Sequence, residues 1–419
     1  MISTFKTFSK EELRAIFALS TGTLLEYFDF FLYIHLASTL NQIFFDVTKE
    51  KSQLLLTSLA YVMPLIFRPF GALILGYIGD KIGRVYTIYI TLVMMSISSI
   101  GIFLLPTYAQ IGVLASVLIS AFRIIQSVSS MGEIVGAKLY LNEYLSGKKS
   151  VLALSFVMLG CFWGGQLALH AIQAASFFQI NFRYLFLIGL VIFFVGFYSR
   201  ATLRESLAFV QAKHKKKEDK KISKMLIFAN LGLECVQTSG WFFCYVYLNS
   251  ILRKDFGYTA DDMIHHNVLI GFSFLVTIVL YIALCTKVYV LKITKVKNFC
   301  LLIMYLISPL LLRNLSEAWH IVVYEILLLA CISDPTFNAV VYKNLPVLKR
   351  SLVGTMAWAL PRAVVGLIMT FLPSLIEAYL ASYTFAFICG SFALYALVSA
   401  FILENIDRKN SEGFYKNYI

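Results

Sequence analysis

Apolar stretches long enough to cross a lipid bilayer recur along almost the whole chain, and this limits the fold more than any other feature. A hydrocarbon core of about 30 Å takes about 20 helical residues to span, and about twelve stretches reach that length. They fall at residues 15–40, 53–78, 85–105, 110–142, 150–174 and 184–199, then at 225–252, 266–286, 297–312, 317–342, 352–376 and 381–403. With 59% hydrophobic and 14% charged residues, the chain has too few charges to cover a water-facing surface of its size. Helices are expected rather than barrel strands, because unpaired backbone groups are costly in lipid and the stretches are too long and too continuously apolar for strands. The expected fold is an all-α membrane protein of about twelve transmembrane helices in two six-helix bundles.

The formal charge of +13 follows membrane sidedness and gives no reason to expect a nucleic-acid partner. With the N-terminus in the cytoplasm, the loops on that side hold most of the Lys and Arg, as the positive-inside rule requires. The densest run, RATLRESLAFVQAKHKKKEDKKISK, separates six spans from six. It divides the chain into an N-terminal half (1–199), a cytoplasmic basic linker (200–224), a C-terminal half (225–403) and a cytoplasmic tail (404–419). Within it HKKKEDKK reads as a solvated topology anchor, with anionic lipid as the alternative partner. The opening MISTFKTFSKEELR lacks a cleavage site and leads into acidic residues, so it is expected to be a cytoplasmic tail and not a signal peptide.

The seven cysteines stand singly, without C-x-x-C spacing, and are read as small packing residues. No Walker loop, H-E-x-x-H, G-x-S-x-G or zinc spacing is present, so no enzyme, cofactor or metal site is expected. Transport without a nucleotide site implies an ion gradient as the driving force.

Residues 68–84, RPFGALILGYIGDKIGR, carry charges at both ends of an apolar run. The short turn that closes it suits a tight junction between two helices. Gly76, Gly79 and Gly83 let backbones approach, while Asp80, Lys81 and Arg84 stay at the water boundary. Asp80 has the charge to dock on the positive N-terminal end of a neighbouring helix and to break away when the halves rock. By spacing alone, a plain positive-inside turn is the competing reading.

This pattern resembles the signature loop of the major facilitator superfamily, and its leading Arg-Pro-x-Gly is similar to the metabolite:proton symporter branch that includes proline/betaine transporters. GTLLEYFDFFLY (22–33), RIIQSVSSMGEIVGAKLYLNEY (123–144), NFRYLFLIGLVIFFVGFYSRATLRESLAF (181–209) and NLPVLKRSLVGTMAWAL (344–360) extend the likeness over most of the chain. The resemblance implies the major facilitator arrangement, a bacterial inner (plasma) membrane, both termini in the cytoplasm and a monomer. Three departures stand out. The turn TKVYVLKITKVKN, where the loop signature often repeats, lacks the acid and glycines. Ser127 replaces a usual glycine. The C-terminal tail shows no heptads.

Ionisable residues inside spans are functional candidates by default, since each costs about 2.5–3.5 kcal/mol on insertion scales. Glu26 and Asp29 share one face of the first helix at i and i+3. Arg123 in the fourth span is their natural counter-charge, and the resemblance implies a part for that arginine in proton coupling. Glu133 is either a further coupling group or a structural partner of Lys138. Arg68, nearer a span end, is assigned to the gating segment or read as snorkelling. Arg362 either reaches a substrate carboxylate or pairs with Glu234 or Asp334. Tyr27, Trp163 and Trp241, with Trp358, either cage a quaternary ammonium or simply pack. Gln126 joins Tyr27, Arg123, Trp163, Trp241 and Arg362 as a substrate-binding candidate.

The function expected is proton-coupled symport of a small polar metabolite, an osmolyte such as proline or betaine. Uptake of a dicarboxylate or other organic anion is the alternative within transport, and a transport-inactive solute sensor the alternative outside it. Membrane lipid, protons and the small-molecule substrate are the expected partners.

Overall fold

The computed structural model describes residues 8–45, 50–200, 203–214, 221–314, 317–332, 336–375, 378–410 and 414. Asp334 and most of the HKKKEDKK run lie outside them. Twelve long helices follow one another among the described residues. They are α1 (Lys10–Phe44), α2 (Glu50–Lys81), α3 (Arg84–Leu104), α4 (Val113–Tyr144), α5 (Gly147–Phe177) and α6 (Ile188–Arg200). The second set is α7 (Lys224–Phe242), α8 (Ala260–Cys285), α9 (Val290–Arg313), α10 (Ala318–Ile332), α11 (Arg350–Leu375) and α12 (Ala378–Lys409).

Nine segments among the described residues are long and apolar enough to cross a membrane. The other three are α2, α6 and α7. α7 buries Asn230, Glu234 and Gln237 on its inward face. It runs on through a π-helical turn, Phe243–Leu248, into a short helix, Asn249–Asp255. The expected span 317–342 matches the candidate span Ala318–Asn344, in which α10 and a short helix, Phe337–Asn344, flank residues outside the described ones.

Capping and close packing set where these helices start and how near they lie. Ser9 caps α1 in a reciprocal box with Glu12, at 3.1 and 2.7 Å, which satisfies two amides that would otherwise be orphaned. Glycines of LGCFWGGQLAL bring α5 against α1. A Cβ on Gly160 would stand 2.5 Å from Ser20 O, and one on Gly164 2.9 Å from Phe28 N, so only glycine permits this approach.

α1, α3, α4, α5 and α6 pack together with α2, and α7 to α12 likewise. The halves meet mainly through α2 against α11 and α5 against α8, with α4 also touching α11. Adding six helices converts the first of these contacts into the second, as two related six-helix units require.

Candidate functional site

The centre is assembled from α1, α3 and α4. Asp29, fully buried, accepts hydrogen bonds from Ser99 on α3 and from the Gln126 amide on α4, and the Gln126 carbonyl in turn accepts one from Arg123 Nη1. The guanidinium carbon lies 3.5 Å from the Tyr33 ring centroid. Arg123 Nε and Nη2 have no hydrogen-bond partner among the described residues. The arginine is thus held by one amide and one aromatic face, with donor capacity to spare. Residue spacing brings this about: Arg123 and Gln126 at i and i+3 share one face of α4.

Sequence reasoning expected Arg123 to meet a first-helix acid directly. The structure places Gln126 between them, so the charges interact through a polar relay. Ser99 was missed because a serine in an apolar helix carries no charge signal. Its neighbours Ser96 and Ser98 are also buried.

A second cluster forms where the halves meet. Arg362 Nη1 is 3.0 Å from Glu234 Oε2, and its guanidinium lies 3.4 Å from the Trp358 ring centroid. Lys138 Nζ sits 3.8 Å from the same ring and has no hydrogen-bond partner among the described residues. Tyr27 and Arg68 interact electrostatically with each other, with Glu26 and with Arg362. Lys138 interacts with Glu234. Three cations, Arg68, Lys138 and Arg362, therefore face two carboxylates, Glu26 and Glu234. Of the two partners weighed for Arg362, Glu234 is within reach, and Asp334 lies outside the described residues.

Several sequence expectations need correction. Arg68 neither snorkels nor belongs to the seam: it is buried, with its guanidinium carbon 4.7 Å from the Phe30 centroid. Twelve residues separate it from Asp80, about 18 Å along a helix. Glu133 and Lys138 face different partners, since Thr91 Oγ1 donates to Glu133 at 3.3 Å whereas Lys138 lies on Trp358. The tryptophans do not form one cage. Trp241 stacks between Phe162 and Tyr245, with centroids 5.7 and 4.6 Å away. Trp358 already carries two of the protein's own cations. Trp163, 43% exposed, lines a separate groove with Gln166, His170 and His265.

The turn after α2 makes the seam between halves. Asp80 accepts the Ser351 and Leu352 amides, both at 2.9 Å, at the N-terminus of α11, and lies 3.3 Å from Arg84 Nη1. Arg84 is itself buried and reaches Glu143 at 3.0 Å, the Val347 carbonyl at 2.5 Å and the Gly79 carbonyl. Glu143 also meets Arg350 at 3.4 Å. Gly83 has φ +152°, and a Cβ there would meet the Glu205 carboxylate, which caps the Arg84 and Val85 amides at 3.1 and 3.2 Å. Lys81 stays exposed, 5.9 Å from the Tyr77 ring centroid.

Comparison with known proteins matches residues 15–231 to the sugar (and other) transporter family. The proline/betaine transporter of Salmonella typhimurium is 34% identical over 205 residues, covering 47% of this chain and 41% of that protein. The glycine betaine/proline/ectoine/pipecolic acid transporter of Dickeya dadantii is 32% identical over 205 residues, with the same coverage. The chain thus matches less than half the length of these curated relatives. Among solved structures, the proton:xylose symporter XylE superposes with a TM-score of 0.77 at 15% identity, covering 94% of this chain and 95% of that one. A human organic anion transporter gives 0.61 at 12% identity, with 94% and 100% covered. These structural likenesses establish the major facilitator fold.

Proposed function

Because the chain belongs to the sugar (and other) transporter family, we propose that it is a proton-coupled symporter of a small zwitterionic osmolyte such as proline or betaine. The observation that carries this reading is the buried line Ser99–Asp29–Gln126–Arg123, in which an acid is tied to an arginine only through an amide. A proton on Asp29 removes the charge that holds the Gln126 amide. The arginine side of the relay is then released, so occupancy by a proton is linked to the arrangement of α1, α3 and α4.

The second cluster supplies the solute's two ends with partners. Arg68, Lys138 and Arg362 suit a carboxylate, and Glu26 and Glu234 suit an ammonium. A dicarboxylate has no use for the acids, and the transport roles in the relatives' names favour a carrier over a solute sensor. The basic end is assigned to the cytoplasm by its Lys and Arg, in the inner membrane of a bacterium, with protons entering from the opposite side. The Asp80 seam then closes the pathway on the cytoplasmic side.

The test is reconstitution in liposomes with a pH-sensitive dye inside. Proline or betaine added outside is expected to drive proton entry. Binding without proton movement is the result that replaces transport with sensing, and proton entry driven only by dicarboxylates replaces the osmolyte.

A further inference from the structure

Away from the centre, α8 and α10 bury another acid–base pair. His266 Nε2 lies 2.9 Å from Glu325 Oε2, and both side chains are buried. His266 Nδ1 and Glu325 Oε1 have no hydrogen-bond partner among the described residues. The sequence marks Glu325 only as one more charge within a span, and gives no sign that a histidine two turns into α8 meets it.

The surroundings of the pair contain no compensating cation among the described residues. On the approach to α8, Tyr258 meets the His266 ring edge-on, with centroids 6.3 Å apart. On the π turn of α7, Cys244 and Tyr245 interact electrostatically with Glu325. His266 is the titratable side chain that hydrogen-bonds Glu325.

Proton counting then follows from charge. With one exchangeable proton the pair is neutral overall, as imidazolium and carboxylate or as imidazole and carboxylic acid. Without it, a net negative charge is left buried with no cation, a state that burial strongly disfavours. Binding a proton is therefore tied to the pair being closed off, and releasing it to water reaching the pair. His266 lies six residues from the first residue of α8, Ala260, about 9 Å along the helix from the end opposite the basic one. The π turn Phe243–Leu248, which packs on α10, is a point where a helix can change register. Such a change moves Cys244 and Tyr245 relative to Glu325.

We infer that His266 and Glu325 form a second proton-binding site, carried by the C-terminal half, that loads and unloads a proton in the transport cycle separately from Asp29. Its place in the cycle rests on the symport reading above; the existence of the site does not.

Infrared difference spectra of the protein in liposomes, recorded as pH is stepped, read buried carboxyl protonation with no substrate present. A pH-dependent carboxyl signal is expected that is lost in Glu325→Gln, moved to a different midpoint in His266→Gln and retained in Asp29→Asn. In proline flux measured at reversal potentials, Glu325→Gln is expected to lower the proton-to-solute ratio while proline exchange continues. Unchanged spectra in Glu325→Gln overturn the site and leave a structural hydrogen bond. A lost signal with an unchanged flux ratio overturns its part in the cycle. If Glu325→Gln does not reconstitute, an unmoved midpoint in His266→Gln overturns the site instead. A wild type in which proline moves no protons removes the symport reading and the cycle role together, and the spectra still decide on the site.

Discussion

Gly76→Ala is the smallest change that acts on the seam without touching a charge. In this structure a Cβ at Gly76 would stand 2.7 Å from Leu352 Cα and closer still to the Thr355 hydroxyl. Leu352 Cα is backbone of α11, so the clash cannot be relieved by rotating a side chain. α2 and α11 must part. Overpacking of this kind costs about 1–3 kcal/mol, and the penalty applies only to the state in which the two helices touch here. A differential of about 1–3 kcal/mol between two conformations shifts their ratio by about 5- to 150-fold. The assay is pulsed electron-spin distance measurement between labels at Ile82→Cys and Lys349→Cys, on the two sides of the seam, in a background lacking the seven native cysteines. The alanine variant is expected to move the distribution toward longer distances with melting temperature little changed. A distribution identical to that of the parent refutes the idea that contact at Gly76 holds the closed seam.

Asp80→Asn keeps the shape of the side chain and removes the charge facing the α11 amides and Arg84, so the same labels are expected to report a shift in the same direction, with slower turnover. Asp29→Asn is expected to abolish proton-driven accumulation while leaving solute exchange, as counterflow in liposomes would show. Gln126→Leu cuts the relay without altering either charge. Its loss of coupling is expected to match that of Asp29→Asn, and full wild-type coupling in this variant means that Asp29 and Arg123 act without the amide. Arg123→Lys keeps a cation but loses the planar fork, so the dependence of proline affinity on pH is expected to weaken, and Arg123→Ala to lose it altogether. Identical pH profiles in the parent and the alanine variant make Arg123 structural.

Helix number, the two halves and the seam were legible in the sequence because each rests on a strong local signal. Lipid demands uninterrupted apolar length, and a G-x-x-x-D-K-x-G-R turn concentrates glycines and charges where two helices must touch. The docking of Asp80 on a helix N-terminus was readable from its charge and position, though not which helix would receive it. Partnerships across the bundle were not legible, because they depend on helix rotation, which an apolar helix barely encodes. Lys138 and Glu133 are close in sequence, yet the rotation of α4 sends one to Trp358 and the other to Thr91. Arg68 looked peripheral because its depth was judged from a span boundary. Ser99 and His266 carried too little signal to single out, one uncharged and the other beside a second histidine at 265.

The second half lacks the acid and glycines of the seam loop, and the structure shows what stands there instead. Asp407 on α12 accepts hydrogen bonds from Tyr289 Oη at 2.7 Å, Asn344 Nδ2 at 3.0 Å and the Phe414 amide at 3.0 Å. Lys295 and Arg408 both pair with Glu404, on α12 as well. Every one of these partners belongs to the C-terminal half. The charges at this end of α8, α9 and α12 therefore brace that half internally, whereas Asp80 and Arg84 reach across to α11 and the turn before it. The cross-half charge contacts described at the basic end run from Asp80, Arg84 and Glu143 of the first half to the start of α11 and the turn before it, with Arg350 as the C-terminal half's charged contribution. The Asp407 and Glu404 contacts described above stay within the C-terminal half, so they do not take over when the Asp80 contact is weakened. For that reason single substitutions at Gly76 or Asp80 should move the conformational balance, while removal of the Asp407 carboxylate should lower the stability of the C-terminal half and leave the balance between open and closed seam where it was.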